Sequence, residues 1–191
     1  MLAGCNPGGE GVRSEGSAGP TPAPKGAVST TPTATSPPHG KKVDAVQLLK
    51  GDPKVGTYVK KSLYKPCAAD AYPIEVTYAS LTGNSSPDII VNVMTCADSV
   101  GIGSYVYRQR SGSKGGYDEV YRNEEPSVYA GINKGELEVS RQTYAARDKV
   151  CCPSGEDVIS YRWKNGRFSQ HTSSHTDYNK ATPDAGTASE G

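Results

Sequence analysis

From Asn6 to Gly40 the only apolar side chains larger than alanine or proline are Val12 and Val28; nearly everything else is Gly, Pro, Ser, Thr, Ala or charged. A stretch so poor in apolar surface cannot offset the conformational entropy lost on ordering. Residues 6–41 are therefore expected to form a disordered linker. The tail beyond Phe168 (SQHTSSHTDYNKATPDAGTASEG) has the same character, and residues 171–191 are expected to be disordered too. What remains, residues 42–170, is read as one domain, large enough to bury about two-thirds of its unfolded surface. Charge narrows the field further. Lys+Arg 21 against Asp+Glu 20 leaves a formal +1, and there is no basic block of the kind that displaces counterions from nucleic acid. Lys60-Lys61 and Arg108-Gln109-Arg110 read as solvated faces. No nucleic-acid partner is expected.

Residues 1–5 hold the strongest motif. Leu2-Ala3-Gly4-Cys5 resembles a bacterial lipobox. Leu2 would end an apolar signal region, and Ala3 and Gly4 are small enough to pass the peptidase. Cys5 would accept a diacylglyceryl group and become the first mature residue. The basic and apolar parts of a signal peptide are expected upstream of Met1. Two or more acyl chains hold stably to a bilayer where one does not, so the chain is expected at the cell membrane, lipid-anchored on its extracytoplasmic face. A flexible linker of this length spans roughly 30–35 Å, which keeps the domain within reach of membrane proteins.

In an exported domain, four further cysteines, Cys67, Cys96, Cys151 and Cys152, imply two disulfides with three possible connectivities. A Cys151–Cys152 bond needs a strained eight-membered ring, so each is expected to pair outward, with Cys67 and Cys96 as partners. Such a bridge from Cys67 closes a loop of about 85 residues, worth around 4.5 kcal/mol in the chain-entropy model. A zinc site is disfavoured, because no C-x2-C pair exists. His39 lies in the linker, and His171 with His175 in the expected tail.

Val43, Val46 and Leu49 recur at helical spacing. Asp52-Pro53 reads as the N-cap of a second helix carrying Val55, Tyr58, Val59 and Leu63, stopped by Pro66. From Ile74 the period becomes two. Strands are expected at 74–78, 89–94, 102–108, 117–122, 128–132, 136–142 and 158–163, with hairpin turns at Asn133-Lys134-Gly135 and Lys164-Asn165-Gly166. The expected class is α+β: two N-terminal helices packed on an antiparallel meander sheet of about six or seven strands. Twelve tyrosines stand against one Phe and one Trp. Tyr105, Tyr107, Tyr121, Tyr129 and Tyr161 fall in strands, where they serve either as a contact face or as ordinary strand residues.

With no histidine inside 42–170, a Ser-His-Asp or Cys-His arrangement is excluded unless the tail folds back. Glu124-Glu125, Glu156 and Asp157 read as solvated surface charge. No enzyme activity is expected.

Tyr78-Ala79-Ser80-Leu81-Thr82-Gly83, Asp88-Ile89-Ile90-Val91, Cys151-Cys152-Pro153-Ser154 and Ser160-Tyr161-Arg162-Trp163 form a run of motifs. Together they resemble actinobacterial envelope lipoproteins of the LppP/LprE type, over Val43 to Phe168. The resemblance implies lipidation at Cys5 and disulfides among Cys67, Cys96, Cys151 and Cys152. It also implies a negative modulator of a cell-envelope stress sigma-factor pathway, with the extracellular part of a sensor histidine kinase as partner. The alternative is a ligand-binding lipoprotein for a small molecule or wall glycan, distinguished by an apolar pocket. Many such relatives carry an acidic, calcium-like loop before the central strand. Here the turn is Gly83-Asn84-Ser85-Ser86-Pro87-Asp88, and only Thr82, Asn84 and Asp88 offer oxygen ligands. Hard cations want more carboxylates, so a plain turn without metal or other cofactor is expected.

Overall fold

The computed structural model describes residues 43–111 and 115–180. Cys5 with its lipobox, the linker 6–41 and the residues beyond 180 lie outside the described residues. Two short helices, α1 (Ala45–Gly51) and α2 (Thr57–Ser62), come first. Four strands follow, β1 (Ile74–Ala79), β2 (Asp88–Met94), β3 (Gly101–Gln109) and β4 (Tyr117–Asn123), paired in that order as one antiparallel sheet. A second antiparallel sheet runs β5 (Val128–Asn133), β6 (Glu136–Thr143), β7 (Gly155–Lys164) and β8 (Arg167–Asp177). Among the described residues no helix is long and apolar enough to cross a membrane.

The expected single meander sheet is thus two sheets of four strands. The break falls between β4 and β5, where Pro126 has no N–H for a ladder and Ser127 adopts a left-handed φ of 58°. Alternation is alike on both sides of the break, so the strand pattern does not reveal it.

Strand β2 separates two cores. Its residues alternate, and both faces are buried. Ile89, Val91 and Val93 share a hydrophobic cluster with Ala45, Val46, Leu49, Val55, Val59 and Leu63 of the helical segment and with Tyr105 and Tyr107. Ile90 lies in the other cluster, with Val106, Val128, Ala130, Leu137 and Val139 of the two sheets.

Asn92, on the same face as Ile90, is 2% exposed. Its Nδ2 donates to the Ala130 carbonyl at 2.8 Å, and its Oδ1 accepts from the Ala130 N–H at 2.8 Å and from the Ser104 hydroxyl at 2.6 Å. One side-chain amide thereby pairs the outer edge of β5. Nearby, the Ser127 N–H donates to the Gly101 carbonyl at 2.8 Å. A Cβ on Gly101 would lie 1.9 Å from the Val128 carbonyl oxygen, so β3 can start this close to β5 only with glycine there.

Both anticipated hairpin turns form. Lys134-Gly135 and Asn165-Gly166 are two-residue loops with φ of 50° and 79°, and 52° and 76°, the mirror-image turns that match strand twist. Three local expectations are corrected. Asp52 caps the end of α1, and α2 starts at Thr57, because residues 53–56 turn before the helix begins. The domain does not stop at Gln170, since β8 pairs with β7 as far as Asp177 opposite Gly155. His171 and His175 are therefore strand residues.

Candidate functional site

A shallow concavity lies where the α1–α2 connection meets the β3–β4 hairpin. It measures about 500 Å³ and is walled by Leu48, Pro53, Tyr107 and Tyr117, with Asp52, Lys54, Arg110, Asp118 and Glu119 supplying charge. A bulge sets its floor. Val106 faces Tyr121 across the β3–β4 ladder, but the next residue, Tyr107, faces Glu119, so β4 carries Val120 as an extra residue. Val120 and Tyr121 both pack on the core between the sheets, and Glu119 is turned to the helix side. Bulges commonly re-aim side chains in this way.

Glu119 is an unusual floor residue. Its side chain is only 7% exposed; Oε1 lies 3.8 Å from Lys54 Nζ and 3.9 Å from Arg122 Nε. Oε2 is sealed from solvent with no hydrogen-bond partner. Burial, reinforced by the nearby Asp52 carboxylate, holds its carboxyl above the usual range, against the pull of Arg122 and Lys54. The surrounding donors are committed elsewhere. Tyr107 donates to Asp52 Oδ2 at 3.0 Å, and Tyr105 donates to Glu124 Oε1 at 2.9 Å. Burial above all, with those carboxylates adding to it, pushes both phenols far up, so they remain donors. Arg122 Nη1 donates to the Lys54 carbonyl. At the rim, Arg110 pairs with Asp118 at 2.7 Å.

The cysteines are placed differently from expectation. Cys67 and Cys96 are bonded to each other, Cα atoms 5.4 Å apart, joining the segment after α2 to the β2–β3 loop. Cys151 and Cys152 are free, exposed thiols in the β6–β7 loop, so neither pairs outward. The loop closes on itself instead. Asp148 accepts from the Ala145 N–H at 2.7 Å and from the Ser154 hydroxyl, and the Cys152 N–H donates to the Lys149 carbonyl at 2.8 Å. Cys151 lines a second, smaller cleft of about 310 Å³.

Asp88 is fully buried and organises the β1–β2 turn. Its oxygens accept from the N–H groups of Leu81 and Thr82 at 2.9 and 2.8 Å and from the Thr82 hydroxyl at 2.8 Å. Asn84 donates to the Gln109 carbonyl at 2.9 Å. Among the described residues no group of three or more His, Cys, Asp or Glu is placed to hold a metal ion. The other carboxylates singled out in the sequence are engaged as well. Glu124 accepts from Gly56 and Tyr105. Arg141 bridges Glu125 and Asp157, and Asp157 meets His175 at 2.7 Å. Glu156 accepts from the Tyr178 hydroxyl at 3.3 Å, and beyond that set Glu136 joins Arg162 and His171.

The strand tyrosines do not make one contact face. Tyr105 and Tyr107 are core residues at 0% and 1% exposure. Tyr121 and Tyr161 pack ring against ring at 5.3 Å, with Phe168 edge-on to Tyr121. Tyr129 is exposed, along with Tyr58 and Tyr64 of the helical segment.

A small domain of two four-stranded sheets and two short helices, with one disulfide among its described residues, preceded in sequence by a lipobox-like Leu2-Ala3-Gly4-Cys5 and a long polar stretch, has the layout of a bacterial lipoprotein. The chain is 52% identical over 177 residues to lipoprotein CseA of Streptomyces avermitilis, covering 93% of this chain and 79% of that one. It is 47% identical over 194 residues to lipoprotein CseA of Streptomyces coelicolor, covering 97% and 82%. The chain belongs to the CseA lipoprotein family. No family model and no solved structure matches it.

Proposed function

We propose that this protein is a membrane-anchored lipoprotein that damps a cell-envelope stress sensor and its sigma-factor pathway by contact rather than catalysis. Cys5 carries the lipid, the domain works on the extracytoplasmic face, and its partner is the extracellular part of a sensor histidine kinase. The observation that carries this reading is kinship to lipoproteins over 93% of the chain, more than the folded domain alone accounts for. The linker supports it by keeping the domain at high effective concentration near any membrane protein. Tyr58 and Tyr64, 67% and 68% exposed, offer the amphipathic rings that recur at interfaces.

An accessory protein shifts a sensor only by binding one of its states better than the other. A change from mostly off to a few per cent on needs about 1–2 kcal/mol. Deletion of the gene is expected to raise basal output of a stress-promoter reporter without added insult. Wild type restores repression, and the unlipidated Cys5→Ala form restores it poorly. An unchanged reporter in the deletion strain rejects the modulator reading. The second reading, a ligand-binding lipoprotein, draws on one feature, the concavity of about 500 Å³ beside the β3–β4 hairpin, whose lining is charged rather than apolar.

A further inference from the structure

Positive charge is unevenly placed along the domain. Residues 53–69 hold Lys54, Lys60, Lys61 and Lys65 and no acidic residue, while the whole chain carries a formal +1. The four lysines exceed that total by three, so the rest of the chain sums to −3. Helix α2 and the turn before it put one side of this segment into the core: Val55, Val59 and Leu63 are 4%, 1% and 0% exposed. The opposite side carries Tyr58, Lys61, Tyr64 and Lys65, all exposed, with Lys60 half-buried beside them. Helical turns run on past Ser62, since the Tyr64 N–H donates to the Lys61 carbonyl at 3.2 Å, and residues three or four apart share a face. Among the described residues the lysines that meet a carboxylate are Lys54 and Lys180. Lys60, Lys61 and Lys65 meet none there. Glu124, which reaches the start of α2, is committed to the Gly56 N–H and the Tyr105 hydroxyl.

We propose that this face docks on an anionic lipid bilayer, Lys60, Lys61 and Lys65 meeting phosphate headgroups while the Tyr58 and Tyr64 rings enter the interfacial layer. The residue types select lipid over protein. Lysine is depleted at protein interfaces, where arginine is preferred. Flexible lysine stems beside amphipathic tyrosines are what a headgroup layer accepts. Clusters of about four basic residues next to a membrane bind anionic leaflets, each residue adding about fivefold to the affinity. The contact rests on the lipid-anchored reading, because α1 and α2 are the first elements after the linker. A tether spanning roughly 30–35 Å holds them where a weak patch suffices. The two tyrosines then meet lipid, and a protein occupant of the same face is the rival to exclude.

The test is cosedimentation of the whole chain, without lipid on Cys5, with vesicles at millimolar lipid. One set is one-third phosphatidylglycerol in phosphatidylcholine, and the other is phosphatidylcholine alone. Binding is expected to the first set, about tenfold or more weaker to the second, and lost at about 1 M salt, where the screening length falls to about 3 Å. Lys61→Gln with Lys65→Gln is expected to weaken binding about twentyfold, as two headgroup contacts at about fivefold each imply. Lys134→Gln with Lys164→Gln makes the same charge change at exposed hairpin residues of the second sheet, and is expected to leave binding within about twofold. In 1H–15N spectra of wild type, the backbone amides of residues 58–65 are expected to broaden first as anionic vesicles are added. If the Lys61/Lys65 variant fails to fold, that map on wild type decides alone. Equal binding to both vesicle sets, equal losses in the two double variants, or broadening centred elsewhere overturns the docking face. Absence of binding to either set overturns it too and returns the tyrosine face to a protein partner. The anchor reading stands or falls separately, on membrane retention of the lipidated protein against Cys5→Ala.

Discussion

At the scale of single residues, two buried polar side chains have opposite roles. Asn92 satisfies three groups that no strand ladder reaches: the Ala130 N–H, the Ala130 carbonyl and the Ser104 hydroxyl. Asn92→Ala leaves those groups buried and unpaired, so a loss of about 2–4 kcal/mol is expected, read as a lower urea midpoint at unchanged m-value. Glu119 instead weakens the fold. Burial raises its carboxyl above the ordinary value of 4.5, so the folded state holds this proton more tightly than the unfolded chain does. Between the ordinary carboxylate value and the raised one, the native state carries the extra proton, and stability falls as pH rises through that window. Above it the full penalty remains. Glu119→Gln does not titrate. It is expected to melt higher than wild type at neutral pH, with the gap closing as the pH approaches about 4, where the unfolded carboxyl is also protonated. Thermal unfolding of both proteins at the two pH values checks this, and a gap that widens in acid contradicts it. A residue that costs stability where it stands is a common mark of a functional position.

Secondary-structure elements were readable wherever one face is apolar. Strands β1 to β3 and β5 to β7 carry alternating or continuous apolar residues, β4 carries Tyr117, Val120 and Tyr121 around its bulge, and the two I′-type turns are set by Lys134-Gly135 and Asn165-Gly166. Strand β8 fails that criterion. From Gln170 to Thr176 every residue is exposed, so there is no apolar period to read. Its order comes from the ladder to β7 and from cross-strand pairs such as His175 with Asp157. The site was hidden for a related reason. Strict alternation from Tyr121 puts Glu119 on the same face as that core tyrosine, whereas the one-residue bulge at Val120 reverses it. These same contacts make the end of β8 testable. A chain ending at Gln170 loses the pairing of Gly155 through Ser160 with Thr172 through Asp177, and β7 becomes a bare edge that invites strand addition by other copies. Such a chain is expected to form oligomers or precipitate, while one ending at Lys180 stays monomeric in size-exclusion chromatography with light scattering. A monomeric, cooperatively folding Gln170 truncation shows that β8 beyond that point is dispensable.

For the whole molecule, the decisive departure from the sequence is layering. Ile89, Ile90, Val91 and Val93 make β2 apolar on both faces, which calls for a partner layer on each side. Nothing in the run of turns marks where the sheet divides to provide one. The cysteines follow the same logic, since pairing depends on three-dimensional neighbours and spacing alone leaves the connectivity open. Cys67–Cys96 joins the end of the helical segment to the β2–β3 loop of the first sheet, across a sequence separation of 29. Closing a loop of that size is worth about 3.5 kcal/mol in the chain-entropy model, less than the longer bridge anticipated from Cys67 to Cys151 or Cys152. The second sheet, by contrast, holds two exposed thiols and no bridge among its described residues. Native protein is therefore expected to react with maleimide at Cys151 and Cys152, and at Cys67 and Cys96 only after reduction. Paired Cys67→Ser and Cys96→Ser changes are expected to lower Tm by roughly 10 °C, given the few degrees per kcal/mol typical of domains this size. Cys151→Ser with Cys152→Ser leaves Tm nearly unchanged, because those side chains face solvent and close no loop. Peptide mapping after labelling, set beside the two melting curves, decides the matter: a large Tm loss in the Cys151/Cys152 variant, or maleimide blocked at both of those thiols in the native protein, places a stabilising bridge in the second sheet and refutes the single-bridge arrangement.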